Sequence, residues 1–187
     1  VKRPQGAEQV RAALLRAARK RFAAEGPGAS LRDIAADAQV NVGLIHHYFG
    51  NKADLLGAVM TDLVGRAQGD AQPVASFDAA LELLLADASR GDPGSNEYVR
   101  IVAWLLLTGE DPRAYQKEFS LPGVAELAGR ARRGQLLLML TTIFGWGIFG
   151  SHLSSLVGYD SPDSAAADLT TALKEAAAAS HPSSRRH

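Results

Sequence analysis

Apolar residues recur at helical spacing along most of the chain, and glycine, proline and short polar clusters punctuate them. Between Ala7 and Glu25, the positions Val10, Leu14, Ala17, Ala18 and Phe22 share one face, with Arg11, Arg16, Arg19, Lys20 and Arg21 around it. "GPG" at 26–28 stops that helix. Ser30, with Asp33 three residues on, opens a short second helix whose buried stripe is Leu31, Ile34, Ala35 and Ala38. Gln39-Val40 makes a tight turn, and Asn41 caps a third helix that runs to Phe49. Gly50 ends it. Asn51 then caps a fourth helix, with Asp54 at its third position, running towards Gly69. Further helices are predicted at 76–90, 95–109, 121–133, 135–158 and 162–180, separated by proline and by "GDPG" at 91–94.

The fold class is therefore all-α. Three short helices with a very short turn between the second and third form the helix-turn-helix arrangement. Its small core would be Phe22, Leu31, Ile34, Ala38, Val40, Ile45 and Phe49. Composition narrows the setting. The 187 residues are 47% apolar and contain no cysteine, which removes disulfides and thiolate chemistry and fits a reducing cytoplasm. "VKRPQGAEQVR" has no apolar stretch behind its charges, so no signal peptide is expected. Net charge is zero, but it is unevenly spread. Residues 1–56 carry nine Lys/Arg against five Asp/Glu, a net of +4, and residues 57–187 carry eleven against fifteen, a net of −4. A basic head on an acidic body suits a polyanion-binding module attached to something else.

The adjacent pair His46-His47 invites a catalytic or metal reading. Neighbours on a helix point about 100° apart, so the two rings cannot face one ion as an i, i+4 pair would. No Asp, Glu or Cys stands at ligand spacing and no nucleophile is near, so no catalytic residue, metal or cofactor is expected. With Ile45 and Phe49 turned inward, the opposite face shows Gly43, Leu44 and His47, flanked by His46 and Tyr48. Those flanks carry suitable phosphate donors, and the helix beginning at Asn51-Lys52 attracts an anion with its free N–H groups and an ammonium. The stretch reads as a surface that docks double-stranded DNA.

"SLRDIAADAQVNVGLIHHYFGNKADLL" resembles the DNA-binding region of the TetR (tetracycline-repressor-like) family of bacterial transcriptional regulators. The resemblance covers about residues 10–56 and includes the spacing of Phe22, Ile34-Ala35, Val40, Tyr48-Phe49 and Lys52 through Leu56. It implies that Val42, Gly43, Leu44 and His47 face bases. It also implies that Ser30, His46, Tyr48 and Lys52 meet phosphates, and that Arg32 reaches a base edge. The chain departs from the family in having Gln39 where Gly is usual, Leu44 where Ala or a small hydroxyl is common, and His46 where Tyr is common. Gln39 is thereby expected in a left-handed conformation. The resemblance further implies a head at 1–56 and a ligand-binding, dimerising helical body at 57–187. The function expected is that of a cytoplasmic homodimeric repressor released from its operator by a small apolar or amphipathic ligand. An activator, a ligand-blind regulator, or an enzyme or carrier with an incidental head are the alternatives.

The body holds two decoys. "GWGIFG" at 145–150 fits G-x-G-x-x-G literally, but it lies within a helical pattern with no preceding strand, so helix packing is the better reading. Residues 134–159 carry no formal charge apart from His152, as a membrane span would, yet Thr141, Thr142, Ser151, His152, Ser154 and Ser155 give them a polar face. A buried soluble helix is expected, with no membrane partner. Trp104, Phe119, Met139, Phe144, Trp146, Phe149 and His152 are candidates to line a ligand pocket. Gly147, Gly150, Ser154 and Val157, with Leu169, Ala172, Leu173 and Ala176 on the last helix, are candidates for a dimer seam.

Overall fold

The computed structural model describes residues 4–69, 96–116 and 133–179. The helices expected at 76–90 and 121–133, and Phe119 with them, lie outside the described residues. Seven α-helices are described: α1 (Ala7–Glu25), α2 (Leu31–Asp37), α3 (Gly43–Phe49), α4 (Lys52–Gly69), α5 (Glu97–Leu107), α6 (Arg133–Val157) and α7 (Pro162–Ala179). Short 3-10 turns occupy Gly26–Gly28 and Pro112–Ala114. Among the described residues every regular element is helical. Residues 4–69 pack with 96–116 as one compact unit, and 133–179 belong to another.

In the first unit, α1 is central because apolar side chains cover more than one of its faces. Val10, Ala13, Leu14, Leu15, Ala17, Ala18, Phe22 and Ala23 are all buried. α2, α4 and α5 each pack against it. Phe22 and Leu14 are fully enclosed, as are Ile34, Ile45, Leu55 and Met60 from the surrounding helices. Each such side chain contributes about 1.5–3 kcal/mol by leaving water. Of the expected head core, Leu31, Val40 and Phe49 are only half-buried, because they sit at helix ends where the layer thins. The boundary expected at 56/57 falls inside α4, and α5, assigned to the body on sequence, packs on α1. A partition at 56/57 is thus a statement about function, whereas packing groups the chain differently.

α5 is pinned to α1 by polar contacts as well as by Ile101, Val102 and Leu105. Glu97 is 1% exposed and forms an ion pair with Arg19. Arg100 donates from Nε to the Ala23 carbonyl at 3.1 Å. Gly26, at φ 67, leaves room for the Trp104 ring, which a Cβ there would meet at 2.8 Å. α4 approaches the same segment closely, since a Cβ on Gly57 would lie 2.8 Å from the Tyr115 carbonyl oxygen. Tyr98 donates to Gln116 Oε1 at 3.2 Å, and burial pushes its phenol up to about 12.

In the second unit, α6 and α7 pack on each other through Met139, Trp146, Ala165 and Ala166, with Leu136, Ile143, Tyr159, Leu169 and Leu173 around them. Met139, Ile143, Trp146, Gly150 and Ser154 follow one another at three- and four-residue steps, so they share the inward stripe. Within that stripe the Ser154 hydroxyl donates to the Gly150 carbonyl at 2.7 Å. α6 is long and apolar enough to cross a membrane by length and composition alone.

Candidate nucleic-acid interface

The helix-turn-helix is held at both of its ends by side-chain caps. Ser30 Oγ accepts from the Asp33 amide at 3.4 Å and Asn41 Oδ1 from the Gly43 amide at 2.8 Å. Asn51 Oδ1 accepts from the Asp54 amide at 2.9 Å, and its Nδ2 donates to Asp54 Oδ2 at 2.5 Å. Each cap satisfies an amide that the first turn leaves without a helical partner. These are the caps that the sequence predicted.

The turn between α2 and α3 is a Schellman motif. Val40 N–H donates to the Ala35 carbonyl at 3.0 Å and Gln39 N–H to the Ala36 carbonyl at 2.9 Å. Gln39 takes φ 58, a left-handed conformation, and is alone in having positive φ among the described non-glycine residues. The same pair of bonds closes α5 at Gly109 and α6 at Gly158, where φ is 80 and 91. Two of the three such ends therefore use the residue that adopts this conformation without steric cost, and the turn between α2 and α3 uses glutamine.

The orientation of α3 follows from Ile45, which is fully buried. Gly43, His46 and His47 are exposed, and Val42, Leu44 and Tyr48 are half-buried. Arg32 is exposed on α2, Ser30 is half-buried at its start, and Lys52 is half-buried at the start of α4. The nine candidate contact residues thus come from the beginning of α2, the length of α3 and the beginning of α4. The rings of His47 and Tyr48 meet edge to face at 4.9 Å. Arg11 from α1 lays its guanidinium 5.4 Å from the centre of the Phe49 ring, a cation–π contact that ties α1 to the end of α3.

His46 has a local partner. Its Nδ1 lies 2.8 Å from the Gly50 carbonyl oxygen, while the Gly50 amide donates to the His46 carbonyl at 3.0 Å. Gly50, at φ 85, lets the chain reverse there into the Asn51 cap. Away from this end, Arg21 grips Asp37 with Nε at 2.6 Å and a second nitrogen at 3.1 Å, fastening α1 to α2. That guanidinium holds the Asp37 carboxyl below its ordinary range. Nothing in sequence periodicity pointed to Arg11, Arg21 or Glu97, whose partners lie on other helices. Only their charge on otherwise apolar-facing helices was a signal.

The remaining candidates are less well assembled. Trp104 is in the first unit, on Gly26, while Met139 and Trp146 are core residues of the second. Phe144 is half-buried, and Phe149 and His152 are exposed. Neither unit by itself gathers the proposed pocket residues. Of the seam candidates, Gly150 and Ser154 are buried, and Leu169 and Leu173 pack against the core shared by α6 and α7, so these four are engaged within the chain. Val157, Ala172 and Ala176 are exposed and Gly147 is half-buried. Met139, a pocket candidate, and Gly150, a seam candidate, share one inward stripe. The face left bare carries Ile148, Phe149, Leu153, Leu156 and Val157. Among the described residues no group of three or more His, Cys, Asp or Glu could hold a metal ion.

Known proteins resemble this chain in sequence and in fold. Residues 14–59 match the sequence profile described as bacterial regulatory proteins, tetR family. The chain is 35% identical over 172 residues to the HTH-type transcriptional repressor Rv3405c of Mycobacterium tuberculosis, covering 85% of this chain and 83% of that one. It is 36% identical over 91 residues to the HTH-type transcriptional regulator BetI of Rhizobium meliloti, over 46% of this chain and 43% of that protein. A solved structure of a HlyIIR mutant with an alanine-substituted segment is similar at a TM-score of 0.55 and 16% identity, covering 92% and 98% of the two chains. A second HlyIIR mutant, carrying a linker with thrombin sites, gives 0.59 at 17% identity, covering 89% and 95%. These two likenesses bear on the fold.

Proposed function

We infer that this chain, which belongs to the tetR family of bacterial regulatory proteins and is a DNA-binding transcriptional regulator, acts as a homodimeric repressor released from its operator by a small apolar or amphipathic ligand. One observation carries the docking mode: Ile45 is buried while Gly43 and His47 on the same short helix are exposed, with Arg32 and Lys52 at the adjoining helix starts. A helix so oriented enters the major groove with Val42, Gly43, Leu44 and His47 towards the bases. Ser30, His46, Tyr48 and Lys52 are then placed for phosphates, and Arg32 for a base edge. Repression is supported by the name of the Mycobacterium tuberculosis relative. The protein acts in the cytoplasm, where its operator lies.

Dimerisation is supported by the bare face of α6. Phe149, Leu153 and Leu156 are 56%, 42% and 72% exposed and lie three or four residues apart. A second copy covering this stripe, with Val157 and with Ala172 and Ala176 of α7 beside it, gives an isologous helical seam. One head alone makes few contacts, so two held about one DNA turn apart are needed for useful affinity. Ligand release has a route into the head. Residues 96–116 are fixed to α1 through Arg19–Glu97 and Arg100–Ala23, and to α4 where Gly57 meets Tyr115. A ligand that prefers a shifted position of this segment would move the head with it, provided it binds that state more tightly.

The test is a mobility-shift titration with DNA from upstream of the chain's own gene, followed by a compound panel read by melting temperature. A duplex bound by the dimer and released by a compound that raises the melting temperature is expected. A chain that binds no such DNA, or that only an added compound loads onto DNA, contradicts the repressor reading.

A further inference from the structure

We propose that His46 couples operator binding to the uptake of one proton per head, so that affinity rises as pH falls through the imidazole range. The proposal rests on the docking read above, in which His46 meets a phosphate. His46 Nδ1 lies 2.8 Å from the carbonyl oxygen of Gly50. A carbonyl oxygen only accepts, so in that contact Nδ1 carries the proton. A neutral imidazole has a single N–H, and the other ring nitrogen, Nε2, then presents a lone pair. A phosphate oxygen also only accepts, so the neutral ring has nothing to offer it while Gly50 is held. The imidazolium has two N–H groups and serves both acceptors at once. The phosphate supplies a neighbouring negative charge that favours this form, so binding and protonation promote each other.

Among the described residues, the ring of His46 has its hydrogen-bond contact with Gly50. α2 and α4 pack against α3. Their charged groups are Arg32, Asp33 and Asp37 on α2, and Lys52, Asp54, Asp62 and Arg66 on α4. Asp37 is gripped by Arg21, Asp62 by Arg66, and Asp54 by the Asn51 cap. Arg11 of α1 rests on Phe49, and His47 and Tyr48 are engaged ring to ring. The Gly50 contact is thus the local determinant of which nitrogen holds the proton.

The experiment uses the full chain and a duplex recovered from a random library by binding-site selection, with Kd measured from pH 6.0 to 8.5 at constant ionic strength. A fully linked proton changes Kd by up to about tenfold per pH unit per head. The wild type should show this slope, and His46→Tyr should flatten it by about one proton per head. His47→Gln should alter affinity and keep the slope. Independently of any variant, nitrogen NMR of the free wild type should show that the neutral His46 ring carries its proton on Nδ1. An unchanged slope in His46→Tyr, a slope abolished by His47→Gln, or an Nε2–H tautomer in the free protein overturns the proposal. Failure of the wild type to bind any selected duplex at every pH overturns the docking reading and this proposal with it.

Discussion

Arg32 and Lys52 stand at the starts of two helices, yet their contributions to binding should differ in kind. In the proposed docking, Val42, Gly43 and Leu44 can touch thymine methyls but cannot form bidentate hydrogen bonds, so Arg32 is the proposed hydrogen-bonding reader. Arg32→Ala should cost about 1–3 kcal/mol per half-site and relax discrimination at one guanine in a binding-site selection. Lys52→Ala should weaken binding to all sequences about equally and lower the salt slope by about one per head, and Tyr48→Phe should do so more weakly. A change of base preference in Lys52→Ala at constant salt slope would refute the assignment. Gln39 offers a prediction about stability. Its left-handed conformation costs a side-chain-bearing residue about 1–2 kcal/mol, and glycine forfeits about 0.5–1 kcal/mol of chain entropy instead. Gln39→Gly should therefore raise the unfolding free energy by up to about 1.5 kcal/mol, read as a higher urea midpoint at unchanged slope. A lowered midpoint would mean that the Gln39 side chain itself holds the turn.

At the scale of elements, the two ion pairs that join helices should contribute unequally. Arg21–Asp37 fastens α1 to α2 with both partners about one-third or more exposed, 32% and 43%, so solvent screens it. Asp37→Asn should cost under about 1 kcal/mol. Because the folded carboxyl is held below its ordinary range, that contribution is present above about pH 4 and disappears as pH falls through the lowered value. Arg19–Glu97 joins α1 to α5 with exposures of 16% and 1%. Glu97→Ala strands a largely buried guanidinium and should cost about 3–5 kcal/mol by equilibrium unfolding. A loss below about 1 kcal/mol would show that Arg19 swings out to water. The helices themselves were readable without these contacts. α1 runs from Ala7 to Glu25 as its periodicity predicts, and α5 begins within two residues of its expected start. Caps and apolar spacing act over three or four residues, so a linear reading captures them. The pairing of Arg100 with Ala23, 77 residues apart, lies beyond any such reading.

For the whole molecule, the bare face of α6 is the proposed seam between two copies. Phe149→Arg combined with Leu156→Arg places charge where a second copy is proposed to pack. The double variant should be monomeric by light scattering and lose operator binding while its helical circular dichroism remains. A variant that stays dimeric moves the seam elsewhere. Gly150→Arg behaves differently, since a Cβ there lies 2.9 Å from the Trp146 ring. It should destabilise α6–α7 packing and lower the melting temperature whether or not the chain dimerises.

The sequence by itself determined the all-α class, the bounds of the head helices, and the three caps at Ser30, Asn41 and Asn51. Each is written in residues a few positions apart, whose backbone amides and side chains meet whatever the rest of the chain does. Only tertiary structure decided that α5 packs with α1, that Glu97 is buried against Arg19, and that Gly150 and Ser154 turn inward beside Trp146. An amphipathic pattern states that a helix has an apolar face. On α6, where apolar side chains surround most of the helix, the pattern does not say which face meets α7 and which stays exposed, because that choice is made by the shapes of the packing surfaces.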